Sequence, residues 1–117
     1  MKLYNANLSN FATRCRIVIY HKGADIEIAP VPGGGLKSPE YLALYPVGMV
    51  PSLDVDGTVF GEAQAIAEFI EDRFAEQPLR PADDVDRARM RWFCAMHDAH
   101  LEVELPRFGG QVSAFSS

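Results

Sequence analysis

Gly48-Met49-Val50-Pro51-Ser52-Leu53, with Glu62-Ala63-Gln64-Ala65-Ile66 shortly after it, decides how this chain folds. Proline has no N–H to give to a ladder, so Pro51 reads as the entry to a strand. X-Pro bonds are the ones that reach cis at modest cost. Val50-Pro51 is therefore expected to fix a kinked backbone whose neighbouring N–H and C=O groups face outward. Ser52–Val55 and Thr58–Phe60 read as strands joined by the two-residue turn Asp56-Gly57. A helix then opens at Glu62 and runs to Phe74. Ala63, Ile66, Ala67, Ile70 and Phe74 recur on one side, and Glu68, Glu71 and Asp72 are expected to face water. The first N–H groups of a helix lack intrahelical partners and can hold an anion. Together these segments predict a small-molecule cradle built mostly of backbone.

Upstream, Lys2–Ala6 alternates as a first strand and Asn7–Asn10 reads as a polar loop. Phe11–Lys22 places Phe11, Cys15, Val18 and Ile19 on one helical face, and Gly23 is suited to a left-handed cap. Asp25–Val31 reads as a second strand, which makes a parallel pair with a right-handed crossover. Gly33-Gly34-Gly35 lacks the G-K-[ST] ending of a phosphate loop and reads as a flexible connector. Ser38 and Pro39 suit the cap and first position of a short helix, Pro39–Leu44, that stops before Pro46. The order βαβ, short helix, ββα demands an α/β domain with a four-stranded mixed sheet. We place that domain at residues 1–76 and a Pro-containing linker at 77–84. A long helix, Val85–Leu105, follows, with a stripe of Val85, Ala88, Trp92, Met96, Ala99 and Val103. Residues 85–117 read as the start of a helical domain, incomplete because Pro106–Ser117 cannot cover that stripe.

The chain has 117 residues and a formal net charge of −5. That charge argues against a nucleic-acid groove, which needs clustered Lys and Arg. Arg87, Arg89 and Arg91 alternate with Asp83, Asp84 and Asp86 as a mixed, solvated helix start. No apolar run reaches the roughly 18 residues that span a bilayer, and no signal peptide is visible, so no membrane contact is expected. The two cysteines, Cys15 and Cys94, form no motif and suggest a reducing, cytoplasmic setting. His97, His100 and Glu104 share a helical face, but one helix rarely supplies three ligands, and no metal is expected.

With these segments in place, the sequence resembles the cytosolic glutathione transferases of the serine type. The resemblance is carried by Ser9-Asn10-Phe11-Ala12-Thr13-Arg14-Cys15-Arg16-Ile17, by Tyr45-Pro46-Val47-Gly48-Met49-Val50-Pro51-Ser52-Leu53, and by Asp56-Gly57. Glu62-Ala63-Gln64-Ala65-Ile66, Phe69-Ile70-Glu71 and the linker-like Pro78-Leu79-Arg80-Pro81-Ala82-Asp83 complete it, over about residues 1–105. It implies a thioredoxin-like N-terminal domain followed by the first helix of an all-α domain. It also implies glutathione as co-substrate, a hydrophobic electrophile as second substrate, a detoxifying transferase reaction and a homodimer. By position, Val50 beside a cis Pro51 would meet the cysteinyl backbone. Glu62 would meet the γ-glutamyl ammonium, position 63 its carboxylate, and Ser9 the thiol. Phe11 and Met49 complete the expected glutathione contacts.

Physical chemistry supports Ser9 separately, because a hydroxyl and a helix dipole at a helix start both favour an anion. A thiol of pKa near 8.5 is only about 3% thiolate at pH 7. Lowering that pKa by about two units takes roughly 2.7 kcal/mol. One charge-assisted hydrogen bond, about 1.5–3 kcal/mol, supplies much of this. Ala63 departs from the family's usual serine and should weaken glutathione binding about 10- to 100-fold. The alternative is a non-catalytic interaction module with the same fold. Cys15 is not at the Ser9 position, which argues against thiol exchange through it.

Overall fold

The computed structural model describes residues 1–101. Val103 and Glu104, named above for the apolar stripe and the histidine face, lie outside them. The chain divides into two compact units, Met1–Gln77 and Pro78–Ser117.

The first unit runs β1 (Lys2–Asn5), α1 (Asn10–Lys22), β2 (Glu27–Pro30), α2 (Pro39–Leu44), β3 (Ser52–Val55), β4 (Thr58–Gly61) and α3 (Ala63–Arg73). A single 3-10 turn, Pro32–Gly34, replaces the flexible connector expected there. It is fastened where the Ser38 hydroxyl donates to the Pro32 carbonyl at 2.8 Å. The strands lie in the order β2-β1-β3-β4. β1 pairs with β2 in parallel, and the β1–β3 and β3–β4 pairs are antiparallel. This is the mixed sheet expected from the element order, in the thioredoxin-like arrangement that the resemblance implied.

Alternation along β1 divides the two faces. Leu3 points with Leu53 into a core that also holds Cys15 and Ile19 of α1 and Ala63, Ile66 and Ile70 of α3. Tyr4, the next residue, meets the ring of Tyr41 on α2 edge-on at 5.6 Å. Helices α1 and α3 thus cover one face and α2 the other. Local chemistry sets the ends. Gly23 adopts the left-handed cap at φ 59°, and its N–H reaches the Ile19 and Tyr20 carbonyls. Asp56 and Gly57, at φ 51° and 94°, make the tight turn between β3 and β4. β2 is shorter than expected, because Asp25 and Ile26 precede the ladder, with Ile26 buried in the core.

Glu71 corrects the reading of α3. It is buried, and its carboxylate meets the Lys22 ammonium at 3.1 Å. The same ammonium donates to the carbonyls of Phe74 at 2.7 Å, Glu76 at 3.1 Å and Gln77 at 3.4 Å. A helix-face pattern assigns a carboxylate to solvent by default, and the partner that overturns this comes from the end of α1. Lys22 thereby satisfies the carbonyl of Phe74, the cap residue of α3, and two carbonyls of the segment that follows it.

In the second unit, α4 spans Asp84–Met96. Its Asp83 cap accepts from the Asp86 N–H at 3.0 Å. The expected uninterrupted helix Val85–Leu105 instead changes after Met96 into a π-helical turn, His97–Leu101. Nothing on α4 is buried; Val85, Trp92 and Phe93 are exposed.

Candidate functional site

Strand register assembles the site. Tyr4 of β1 stands opposite Ser52 of β3, and Ser52 opposite Gly61 of β4. The chain therefore leaves β1 toward Ser9, enters β3 through Val50-Pro51, and leaves β4 into Glu62, all at one end of the sheet. Residues far apart in sequence are brought to one edge by pairing alone.

Ser9 caps α1. Its Oγ accepts from the Ala12 N–H at 3.1 Å. Its carbonyl accepts from the Thr13 N–H at 2.9 Å and the Thr13 hydroxyl at 2.8 Å. Being an acceptor toward Ala12, the Ser9 hydroxyl keeps its own proton to donate elsewhere. Ser9 is half-buried at the start of a 13-residue helix. Phe11 follows in the first turn, with the Arg14 guanidinium 5.9 Å from its ring centre.

The Val50–Pro51 bond is cis. Pro51 is buried, Val50 half-buried, and the Met49 side chain exposed. Two residues outside the sequence assignment hold this loop. Lys37 donates to the carbonyls of Val47 at 3.2 Å and Gly48 at 3.0 Å. Tyr41 donates to the Met49 carbonyl at 2.6 Å. Gly48, at φ 64°, also has the Leu36 carbonyl and the Leu42 side chain too close for a Cβ. Sequence could flag Gly48 and Tyr41 only as a turn residue and a core aromatic, because their partners are set by the tertiary fold.

Glu62 occupies the cap position of α3 at φ 69° and makes no side-chain cap bond. Helices α1, α2 and α4 each have such a bond, from Ser9, Ser38 and Asp83. The first intrahelical bond of α3 is from the Ile66 N–H to the Glu62 carbonyl. The N–H groups of Ala63, Gln64 and Ala65 therefore open the helix without an intrahelical partner. Glu62 is exposed beside them. Ala63 is only 4% exposed, so its methyl belongs to the core. What it can offer a ligand is its N–H, since its carbonyl faces the Cys15 thiol at 3.6 Å.

Tyr45 is a third residue outside the sequence assignment of the site. A Cβ at Gly61 would collide with its hydroxyl, so the ring lies against the strand end that leads to Glu62. Burial, and then the Glu62 carboxylate, push the Tyr45 phenol upward. It stays protonated and can donate. Cys15 takes no part. It is fully buried, and burial pushes its thiol up to about 12, with Arg14 opposing weakly. Among the described residues no cluster of His, Cys, Asp or Glu could hold a metal. No helix among them is long and apolar enough to cross a membrane.

Comparison with known proteins fits this geometry. Residues 3–78 match the family model described as "Glutathione S-transferase, N-terminal domain". The chain is 40% identical over 101 residues to a maleylacetoacetate isomerase of Pseudomonas aeruginosa, covering 82% of this chain and 48% of that protein. It is 40% identical over 90 residues to glutathione S-transferase 1 of Dianthus caryophyllus, covering 75% of this chain and 41% of that one. Among solved structures it resembles a holo maleyl pyruvate isomerase, a bacterial zeta-class protein, at a TM-score of 0.78 and 29% identity. That match covers 98% of this chain and 54% of the other. The chain thus spans about half the length of the relatives it matches.

Proposed function

We propose that this chain, which belongs to the glutathione S-transferase family, binds glutathione along the shared end of its sheet and activates the thiol. The observation that carries the reading is the uncapped start of α3. It offers N–H groups that have no intrahelical partner and no side-chain cap to a carboxylate, and places an acid, Glu62, next to them for an ammonium. An amino acid headgroup carries both charges, and the γ-glutamyl end of glutathione is such a headgroup. Val50 then exchanges backbone hydrogen bonds with the cysteinyl unit. Phe11 and Met49 flank it, and the Ser9 hydroxyl donates to the thiolate. Ala63 contributes its N–H but no hydroxyl, which keeps affinity below that of a serine at this position.

The proposed chemistry is attack of the glutathione thiolate on an electrophilic carbon of a hydrophobic small molecule. The isomerase names among the relatives favour a version in which the thiolate adds to a double bond, the adduct rotates, and the thiolate leaves again. Glutathione is regenerated and no atom is lost. The electrophile's wall is expected from the helical C-terminal domain beyond the first helix, and we place the working protein in the cytoplasm as a homodimer. The proposed domain limits are 1–76 for the glutathione-binding domain, 77–84 for the linker and 85–117 for the start of the helical domain.

Retention on immobilised glutathione tests the site. The chain is expected to bind, Glu62→Gln to elute earlier, and Ala63→Ser later. Flow-through of both the chain and Ala63→Ser would sink the reading. A second reading, a non-catalytic interaction module, draws support from Ala63 and from the exposed Trp92 and Phe93. Turnover of a generic electrophile that Ser9→Ala lowers about 10- to 100-fold decides for the enzyme.

A further inference from the structure

We propose that Tyr41 is a positioning residue for this site, and that its single hydroxyl sets the backbone on both sides of Val50-Pro51 in the form that receives glutathione. The inference rests on the reading that the Val50 backbone meets the cysteinyl unit. The Tyr41 oxygen lies 2.6 Å from the Met49 carbonyl oxygen and 2.7 Å from the Ser52 hydroxyl. A carbonyl can only accept, so the phenol proton goes to Met49. The Ser52 hydroxyl must then donate to the phenol oxygen. The result is a directed chain, Ser52 to Tyr41 to Met49, that closes across the two residues between.

Both hydroxyl-bearing residues are fully buried, so water does not compete for these bonds. Burial also holds the phenol above its ordinary range, which keeps it a donor. Lys37 occupies the two preceding carbonyls, those of Val47 and Gly48. Three successive carbonyls are thus fixed by side chains. Among the described residues, no hydrogen bond occupies the next amide, that of Val50. Side chains hold the loop up to the point where its backbone is left open.

The ring of Tyr41 has a separate duty, packing on Tyr4 at 5.6 Å and Tyr45 at 6.3 Å. Phenylalanine would keep those contacts and remove the bond to Met49. It would also strand the buried Ser52 hydroxyl, so a loss of stability alone would prove nothing. A second variant separates the two effects. In Tyr41→Phe/Ser52→Ala no hydroxyl is left stranded, and the part of the stability lost to the stranded Ser52 hydroxyl recovers.

The test is calorimetric titration of the 117-residue chain with reduced glutathione, alongside urea unfolding. Tyr41→Phe should bind about tenfold more weakly, and the double variant should have a higher unfolding midpoint than Tyr41→Phe while staying about tenfold weak. Wild-type affinity in the double variant would overturn the positioning role while leaving the glutathione reading intact. No binding by the unaltered chain would instead remove the glutathione reading, and this inference with it.

Discussion

At Ser9 one oxygen accepts the Ala12 N–H and retains a proton to donate, so the cap and the proposed thiol partner are one side chain. Substitution separates them. Ser9→Ala should lose about 1 kcal/mol of stability with the cap. Under the proposed function it should also lose about 10- to 100-fold in conjugation rate. Ser9→Asp should keep the cap and still lose the rate, since its carboxylate repels a thiolate; urea midpoints and a conjugation assay read the two effects. Cys15 gives the opposite expectation. With its thiol raised from 9.0 to about 12, the folded chain holds a proton that the unfolded chain releases above pH 9. Stability from this group is complete below pH 9 and declines as pH rises from there toward 12. Melting curves across that range should fall less steeply in Cys15→Ala. Native-state labelling with a thiol reagent should mark the partly exposed Cys94 and spare Cys15.

Among the elements, those with local punctuation were the legible ones. Ser38-Pro39, Asp56-Gly57 and Gly23 each specify a backbone geometry through their own chemistry, and α2, the β3–β4 turn and the end of α1 sit where these residues put them. What could not be read were partnerships across the fold. Glu71 looks like a solvent-facing acid until Lys22 of α1 is set beside it, and Tyr41 looks like a core ring until Met49 and Ser52 meet its oxygen. The change of helix type after Met96 has no stop residue to announce it. Lys22 ties two elements together, and its removal should show this. Lys22→Met leaves a buried carboxylate and three carbonyls without their shared donor, and should cost about 3–5 kcal/mol. Glu71→Gln keeps the carbonyl contacts and should cost clearly less. Equal losses in urea unfolding would contradict the hub role of Lys22.

For the whole molecule, the single tryptophan, Trp92, lies on α4 and is 66% exposed. Exposed apolar side chains of this size favour association. Its emission should resemble that of a solvated indole in dilute solution, and shift to the blue with rising concentration as the proposed dimer forms. Emission independent of concentration, with monomeric sedimentation, would contradict that. Global stability has one more determinant, and it lies at Glu62. A φ of 69° is unfavourable for any residue with a Cβ, by about 1–3 kcal/mol. The side chain caps nothing in return. Glu62→Gly should therefore raise the unfolding midpoint while weakening glutathione binding. Under the proposed function the chain would then be a case of stability traded against activity, in which selection for a sturdier fold alone would erase the residue proposed to read the ligand.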